Sequence, residues 1–292
     1  MRFVSPDYLC SMASRRLTFF GLLKITRFWN LLIIGLAQYF AALFLEQHAS
    51  ITDWRLFILS TSTIVIAAAG YIINDYYDVK IDLINKPERV VIGKEVNRRF
   101  ALLFHSLLSL TGVALGFILN WKIGAINFMS AFLLWWYSND LKRQPFIGNF
   151  VVALLTGLSI LLINVLFKVN HSFVIVYSVF AFAITLLREV VKDIEDLKGD
   201  NTFGCRTLPI ALGIRKTKII LYLLLFAFMA TVFTIGYHYL LMSVFYLLLF
   251  LIAPCVLLGV ILARADTKND FYLLSQLCKI IMLLGIGSMV LV

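Results

Sequence analysis

The chain has 292 residues, 61% of them hydrophobic and 14% charged, with a formal net charge of +10 and a mean hydropathy of +0.92. Soluble domains carry about a quarter charged residues, so this composition excludes a soluble globular enzyme. It specifies an all-α polytopic membrane protein, one membrane domain over residues 1–292 with no soluble module.

Residues 1–22 mix polar and apolar side chains without a continuous apolar core or a small-residue cleavage site, and read as a cytoplasmic lead-in to the first span. Apolar stretches near the ~20 residues needed to cross a bilayer then predict nine spans, at about 27–46, 54–75, 100–119, 122–138, 146–167, 172–191, 217–236, 239–263 and 271–291. Short turns between them require antiparallel neighbours.

Alternate connections are basic. They carry Lys80, Lys86, Arg89, Lys94, Arg98 and Arg99, then Lys142 and Arg143, then Lys192, Lys198, Arg206, Arg215, Lys216 and Lys218, then Arg264 and Lys268. The other side has only Arg55, Lys122 and Lys168, which puts the basic connections and the N-terminus in the cytoplasm. Orientation and contact with anionic membrane lipid account for most of the charge, and nothing in it calls for nucleic acid.

Two acidic runs interrupt the apolar pattern, Asn74 to Asp82 and Lys192 to Asp200, and both read D-x-x-D-x-x-x-D. At about 100° per helical residue, steps of 0, 3 and 7 fall at roughly 0°, 300° and 340°, so the aspartates of each run share one narrow face. The first run closes span two and the second closes span six, so both are expected at helix ends on the cytoplasmic side. A helix C-terminus disfavours carboxylates by up to about 1 kcal/mol each, and six of them beside one another require compensating cations. Hard divalent ions with oxygen ligands, Mg²⁺ above all, suit Asp75, Asp78, Asp82, Asp193, Asp196 and Asp200, with remaining positions left to water and substrate phosphate. The ordinary alternative is a solvated acidic loop paired with nearby Lys and Arg.

Other chemistry is absent from the sequence. There is no P-loop, G-x-G-x-x-G, H-E-x-x-H or G-x-S-x-G. Cys10, Cys205, Cys255 and Cys278 are too scattered for a metal or redox pair, and among the four histidines only His105 lies inside a span, where a core imidazole bonded to a neighbouring helix is expected. Arg27, Asn30, Arg89, Lys142, Arg143, Asn149, Arg188 and Lys192 have the chemistry of anion clamps, and the site reads as built for a metal-bound diphosphate.

Asn74 to Asp82 with Asn85-Lys86-Pro87-Glu88-Arg89, then Tyr137 to Arg143 with Gly148-Asn149, then Asp193 to Asp200 with Thr207-Leu208-Pro209, together resemble the UbiA superfamily of intramembrane prenyltransferases. The resemblance covers roughly residues 23–213. It departs where Phe28 follows Arg27, since many relatives carry an Arg-Pro pair there. The resemblance implies a nine-helix bundle around a central cavity with two cytoplasmic cap loops, 79–99 and 194–216. It also implies that Asn74, Asp75, Asp78, Asp82, Asp193, Asp196 and Asp200 hold two Mg²⁺ ions on the diphosphate of a prenyl donor. By the same resemblance Arg27, Asn30 and Asn149 lie at the donor diphosphate, and Arg89, Lys142, Arg143 and Lys192 neutralise it as it departs. Tyr71, Phe132, Trp136 and Tyr137 are candidates to face the allylic cation.

The wording of Asn74 to Asp82, of the run Tyr137 to Arg143 and of Arg188 to Asp196 is most similar to the branch that prenylates geranylgeranylglycerol phosphate for ether lipids in a bacterial or archaeal cell membrane. An aromatic acceptor such as 4-hydroxybenzoate is the alternative within the superfamily. A CDP-alcohol phosphotransferase requires D-G-x-x-A-R where this chain has Val79-Lys80-Ile81-Asp82, and a transporter requires broken helices or midplane charges, of which His105 and Lys279 come nearest.

Overall fold

The computed structural model describes residues 19–46, 49–169, 172–239 and 252–291, and among them it contains helices and no β-strand. The helices are α1 (Phe19–Ile25), α2 (Phe28–Phe40, continued by a π-helical turn, Ala41–Leu45), α3 (Trp54–Asn85), α4 (Arg98–Leu119), α5 (Trp121–Asn139), α6 (Ile147–Phe167), α7 (Ser172–Glu195), α8 (Leu197–Thr202), α9 (Leu208–Leu212), α10 (Ile214–Tyr239), α11 (Ala253–Arg264) and α12 (Lys268–Ser288). Seven of the described helices are long and apolar enough to cross a membrane: α2 with its π turn, α3, α4, α6, α7, α10 and α12. The expected span 122–138 forms α5, whose Trp, Tyr and Asn content makes it less apolar. The expected span 239–263 is represented by α11, and its first half, 240–251, lies outside the described residues, as do residues 1–18 of the lead-in.

Helix starts follow local signals in the sequence. The side chains of Asp53, Asn97 and Asn120 accept the backbone N–H two residues on at 2.8–2.9 Å, and Thr267 with Asp270 forms a reciprocal capping box. The main core runs between α2, α3, α6, α7, α10, α11 and α12, through Ala37, Leu59, Ile163, Val190, Leu221, Leu258 and Leu274. Small residues let α6 and α7 pass closely: the Ser178 hydroxyl donates to the Gly157 carbonyl at 2.8 Å, and a Cβ on Gly157 would stand 2.8 Å from the Ser178 carbonyl oxygen. The outside is apolar, with Trp29, Leu103, Leu110 and Phe226 exposed, as a lipid-facing surface requires.

One difference from expectation shapes the site. Hydropathy ends the second span near residue 75, but α3 continues to Asn85. Polar residues terminate an apolar run without terminating a helix, because Asp, Tyr, Lys and Asn there leave the i to i−4 ladder intact. Asp75 and Asp78 are therefore inside the helix, and only Asp82 of the first run lies in the last turn, where the C-terminal dipole disfavours a carboxylate. The connection after α3 is pinned by a small core of Val91, Ile92 and Val96 against Ile25, Ile72 and Ala101.

Candidate active site

Asp193 lies in the last turn of α7, Asp196 at the break that follows (φ −94°, ψ 4°) and Asp200 within α8. The second trio thus spans two helices rather than one face, with the Asp200 N–H bonding to the Asp196 carbonyl at 3.2 Å across the break. The two runs meet directly. The Asn85 amide donates to the Asp196 carbonyl at 2.9 Å and accepts the Gly199 N–H at 2.8 Å, while Lys86 reaches Asp196 at 2.8 Å and Glu195 at 3.0 Å.

Each run is already partly neutralised by neighbours. Arg27 Nη2 is 2.7 Å from Asp75, Lys142 Nζ is 2.5 Å from Asp78, and the buried Asn149 donates to Asp193 at 2.9 Å. Arg27 takes a left-handed backbone (φ 53°) just before α2, with its guanidinium 5.0 Å from the Tyr71 ring centre. A non-glycine residue held there stores strain of order 1–3 kcal/mol, which the ion pair and ring contact offset. Arg89 and Arg143 lie exposed on short 3₁₀ turns, Pro87–Arg89 and Leu141–Arg143, and the Arg143 carbonyl accepts the Arg206 N–H at 2.7 Å. Lys192 pairs with Glu189 at 2.9 Å, and Arg188 takes the same carboxylate at 2.8 Å.

Lys86, Asn85 and Glu189 belong to the segments that carry the resemblance, but the sequence assigns them no role at the site. A usable signal exists for the first: Lys86 follows Asp82 by one helical turn and so continues the acidic face. His105 conforms to expectation, its Nδ1 3.0 Å from the Ala69 carbonyl. Among the cation-shield candidates, Tyr71 and Tyr137 line the cavity, whereas Phe132 and Trp136 are 44% and 42% exposed on the outside of the bundle.

Among the described residues no three His, Cys, Asp or Glu side chains stand close enough to share one ion. The donor set still fits a hard cation, because the oxygens are carboxylates and a carboxamide, and Asn74 Oδ1 is buried without any hydrogen-bond partner. Asp200 is pushed up to about 7 by burial and by Asp196 and Asp78 beside it. Lys86 is held above the usual lysine range: burial works against its charge, but Asp196 and Glu195 outweigh it. A cation bound near Asp200 would relieve the like-charge repulsion and release its proton.

A cavity of about 210 Å³ opens beside the first run, polar at Arg27, Asn30, Asn74, Tyr137 and Lys192 and apolar at Ile33, Ile66, Leu155 and Leu162. A second, of about 70 Å³, shares Ile33, Ile34, Thr156, Thr185 and Met282 with it and reaches Tyr177, Phe180 and Met289. Together they make an apolar channel with a charged mouth.

Comparison with known proteins accounts for this arrangement. The UbiA prenyltransferase family matches residues 35–275. The digeranylgeranylglyceryl phosphate synthase of Methanosphaera stadtmanae is 32% identical over 257 residues, 87% of this chain and 93% of that one. The synthase of the same name from Korarchaeum cryptofilum is 35% identical over 257 residues, 84% of this chain and 88% of its own. In fold, a UbiA homologue from Archaeoglobus fulgidus solved with DMAPP and Mg²⁺ superimposes with a TM-score of 0.68 at 16% identity, covering 92% of this chain and 99% of that one. A solved digeranylgeranylglyceryl phosphate synthase gives 0.69 at 24% identity, over 92% and 98%. The chain belongs to the UbiA prenyltransferase family.

Proposed function

We propose that this prenyltransferase transfers a geranylgeranyl group from its diphosphate to geranylgeranylglycerol phosphate, on the cytoplasmic side of an archaeal cell membrane, with residues 1–292 acting as one domain. The observation that carries the proposal is the locking of the second aspartate run onto the end of α3, just past the first run, beside the charged mouth of an apolar channel. The names of relatives that match across most of their length supply the acceptor.

In this reading Asn74, Asp75, Asp78, Asp82, Asp193, Asp196 and Asp200 hold Mg²⁺. The ions, when bound, neutralise the donor diphosphate and weaken its bond to the prenyl C1. Arg27, at the mouth with Asn30, and Lys142, paired with Asp78, add positive charge where the diphosphate departs, with Arg89 and Arg143 on the exposed turns after α3 and α5. Asn149 fixes the Asp193 carboxylate through its amide. The Tyr71 and Tyr137 rings border the place where positive charge develops on C1, and the apolar walls keep water from it. The acceptor hydroxyl oxygen then bonds to C1 as the C1–O bond breaks, the electron pair leaving with the diphosphate and the hydroxyl proton being released.

Removal of divalent metal tests this reading. Prenyl transfer from labelled geranylgeranyl diphosphate is expected to vanish in EDTA and to return with Mg²⁺, whereas Ca²⁺ restores it poorly because it prefers longer bonds and more ligands. Undiminished turnover after thorough chelation would refute a metal-held diphosphate.

A further inference from the structure

The cavity wall built by α7 and α12 carries more positive charge than its neighbours compensate. Arg188 and Lys192 stand one turn apart on α7 and share a single carboxylate, Glu189. Lys279 of α12 lines the same cavity and makes no hydrogen bond or ion pair among the described residues. Arg188 Nε is buried without a partner. So is the hydroxyl of Thr185, a cavity-lining residue only 4% exposed. Of the other acids nearby, Asp75 pairs with Arg27, while Asp193 accepts from the neutral Asn149 amide and keeps its charge. Three cations against two carboxylates leave one positive charge over.

Position makes this surplus costly. Lys279 lies about 16 Å of helical rise from Lys268, whose ammonium reaches the Asn85 carbonyl, and Asn85 lies about 15 Å of rise past Asp75, where the apolar part of α3 ends, so Lys279 is level with the inner boundary of the apolar layer. Its Cα–Cβ bond leans toward the start of α12, the end that meets Asn85, and so toward the charged mouth. An uncompensated, half-buried ammonium at that boundary marks a ligand rather than a packing device. A phosphate monoester carries about −1.5 to −2 at pH 7, enough to take up the surplus, and its oxygens would accept from Arg188 Nε and the Thr185 hydroxyl.

We propose that Thr185, Arg188, Lys192 and Lys279 form a subsite for the phosphate monoester of the acceptor lipid, apart from the aspartate runs that take the donor diphosphate. The inference rests on the phosphorylated-acceptor reading above, and it reassigns Lys192 from the donor to the acceptor. An acceptor lacking the phosphate would leave these cations unpaired, which is how such a site rejects it.

Steady-state kinetics of the full chain in vesicles, with geranylgeranylglycerol phosphate and geranylgeranylglycerol as paired acceptors, test the assignment. Lys279→Met is expected to raise the KM for the phosphorylated acceptor about ten- to hundredfold, to leave the KM for geranylgeranyl diphosphate unchanged, and to narrow the preference between acceptors by the same factor. Lys279→Arg keeps most of the affinity, and Thr185→Val raises the same KM about threefold to tenfold. Without acceptor, the thermal midpoint of Lys279→Met should not fall below that of the wild type, because an unpaired buried charge is removed. An unchanged acceptor KM in both Lys279→Met and Thr185→Val, with the wild type active on the phosphate, would overturn the subsite alone. A matching rise in the donor KM would assign the cations to the diphosphate and overturn it too. So would a KM change that appears only in vesicles containing phosphatidylglycerol, which would make a bystander headgroup the ligand. No transfer to the phosphorylated acceptor by the wild type would overturn the acceptor reading, and the subsite with it.

Discussion

Asp78→Asn and Asp196→Asn are each expected to lower prenyl transfer by about a thousandfold while leaving the protein inserted and folded. Asp78 belongs to α3 and Asp196 to the break after α7, so equal losses require both runs to serve one reaction. Asparagine is the informative replacement. It removes the charge but leaves an oxygen for Lys142 or Lys86, whereas alanine at Asp78 would strand the largely buried Lys142 ammonium at a cost of about 3–5 kcal/mol; Lys86 would keep Glu195. The check is single-turnover transfer with matched expression and an unchanged melting profile. Near-wild-type rates in either variant would show that one run suffices.

The interlock between the runs should be nearly as sensitive. Asn85 bonds the Gly199 N–H and the Asp196 carbonyl at once; the carbonyl keeps the Asp200 N–H, so Asn85→Ala leaves the Gly199 N–H unpaired, at about 1–3 kcal/mol, and cuts the tie to Asp196. Gly199→Ala attacks the same point from the other side, because a Cβ there would stand 2.5 Å from the Asn85 amide nitrogen. Neither residue is proposed to touch the donor. Both variants are nonetheless expected to lose about a hundredfold in kcat, through displacement of Asp196 and Asp200 by an ångström or so. Full activity in Gly199→Ala would mean that the second run is positioned by something other than Asn85.

Much of this was legible in the chain itself because the signals are local. Apolar runs of bilayer length predicted α2, α3, α4, α6, α7, α10 and α12, and side-chain caps at Asp53, Asn97, Asn120 and Thr267 mark starts that a reader of the sequence could place. The spacing of the aspartates identified both runs, and the Tyr137 to Arg143 segment supplied Lys142. What remained hidden depends on tertiary placement. Hydropathy cannot see that α3 persists ten residues beyond its apolar part, from Asp75 to Asn85, so the first run was expected at a helix end. Phe132 and Trp136 sit on a helix whose apolar residues are spread round all its sides, so no periodicity separates the lipid face from the cavity face. Lys86, Asn85 and Glu189 gain their meaning only from partners on other segments or from sharing by two cations, which no spacing rule reports. Arg27, which departs from the family pattern at its next residue, still pairs with Asp75 because its left-handed backbone aims the side chain across to α3.

The most direct measurement is product identification with the purified chain in vesicles, given labelled geranylgeranyl diphosphate and Mg²⁺ with geranylgeranylglycerol phosphate and 4-hydroxybenzoate in competition. The account predicts that label enters digeranylgeranylglyceryl phosphate and not the aromatic acid, and that Asp78→Asn and Asp196→Asn each abolish it. Label in prenylated 4-hydroxybenzoate with none in the glycerol phosphate would contradict the assignment of the acceptor. Transfer that survives loss of either aspartate would contradict the joint site on which the account rests.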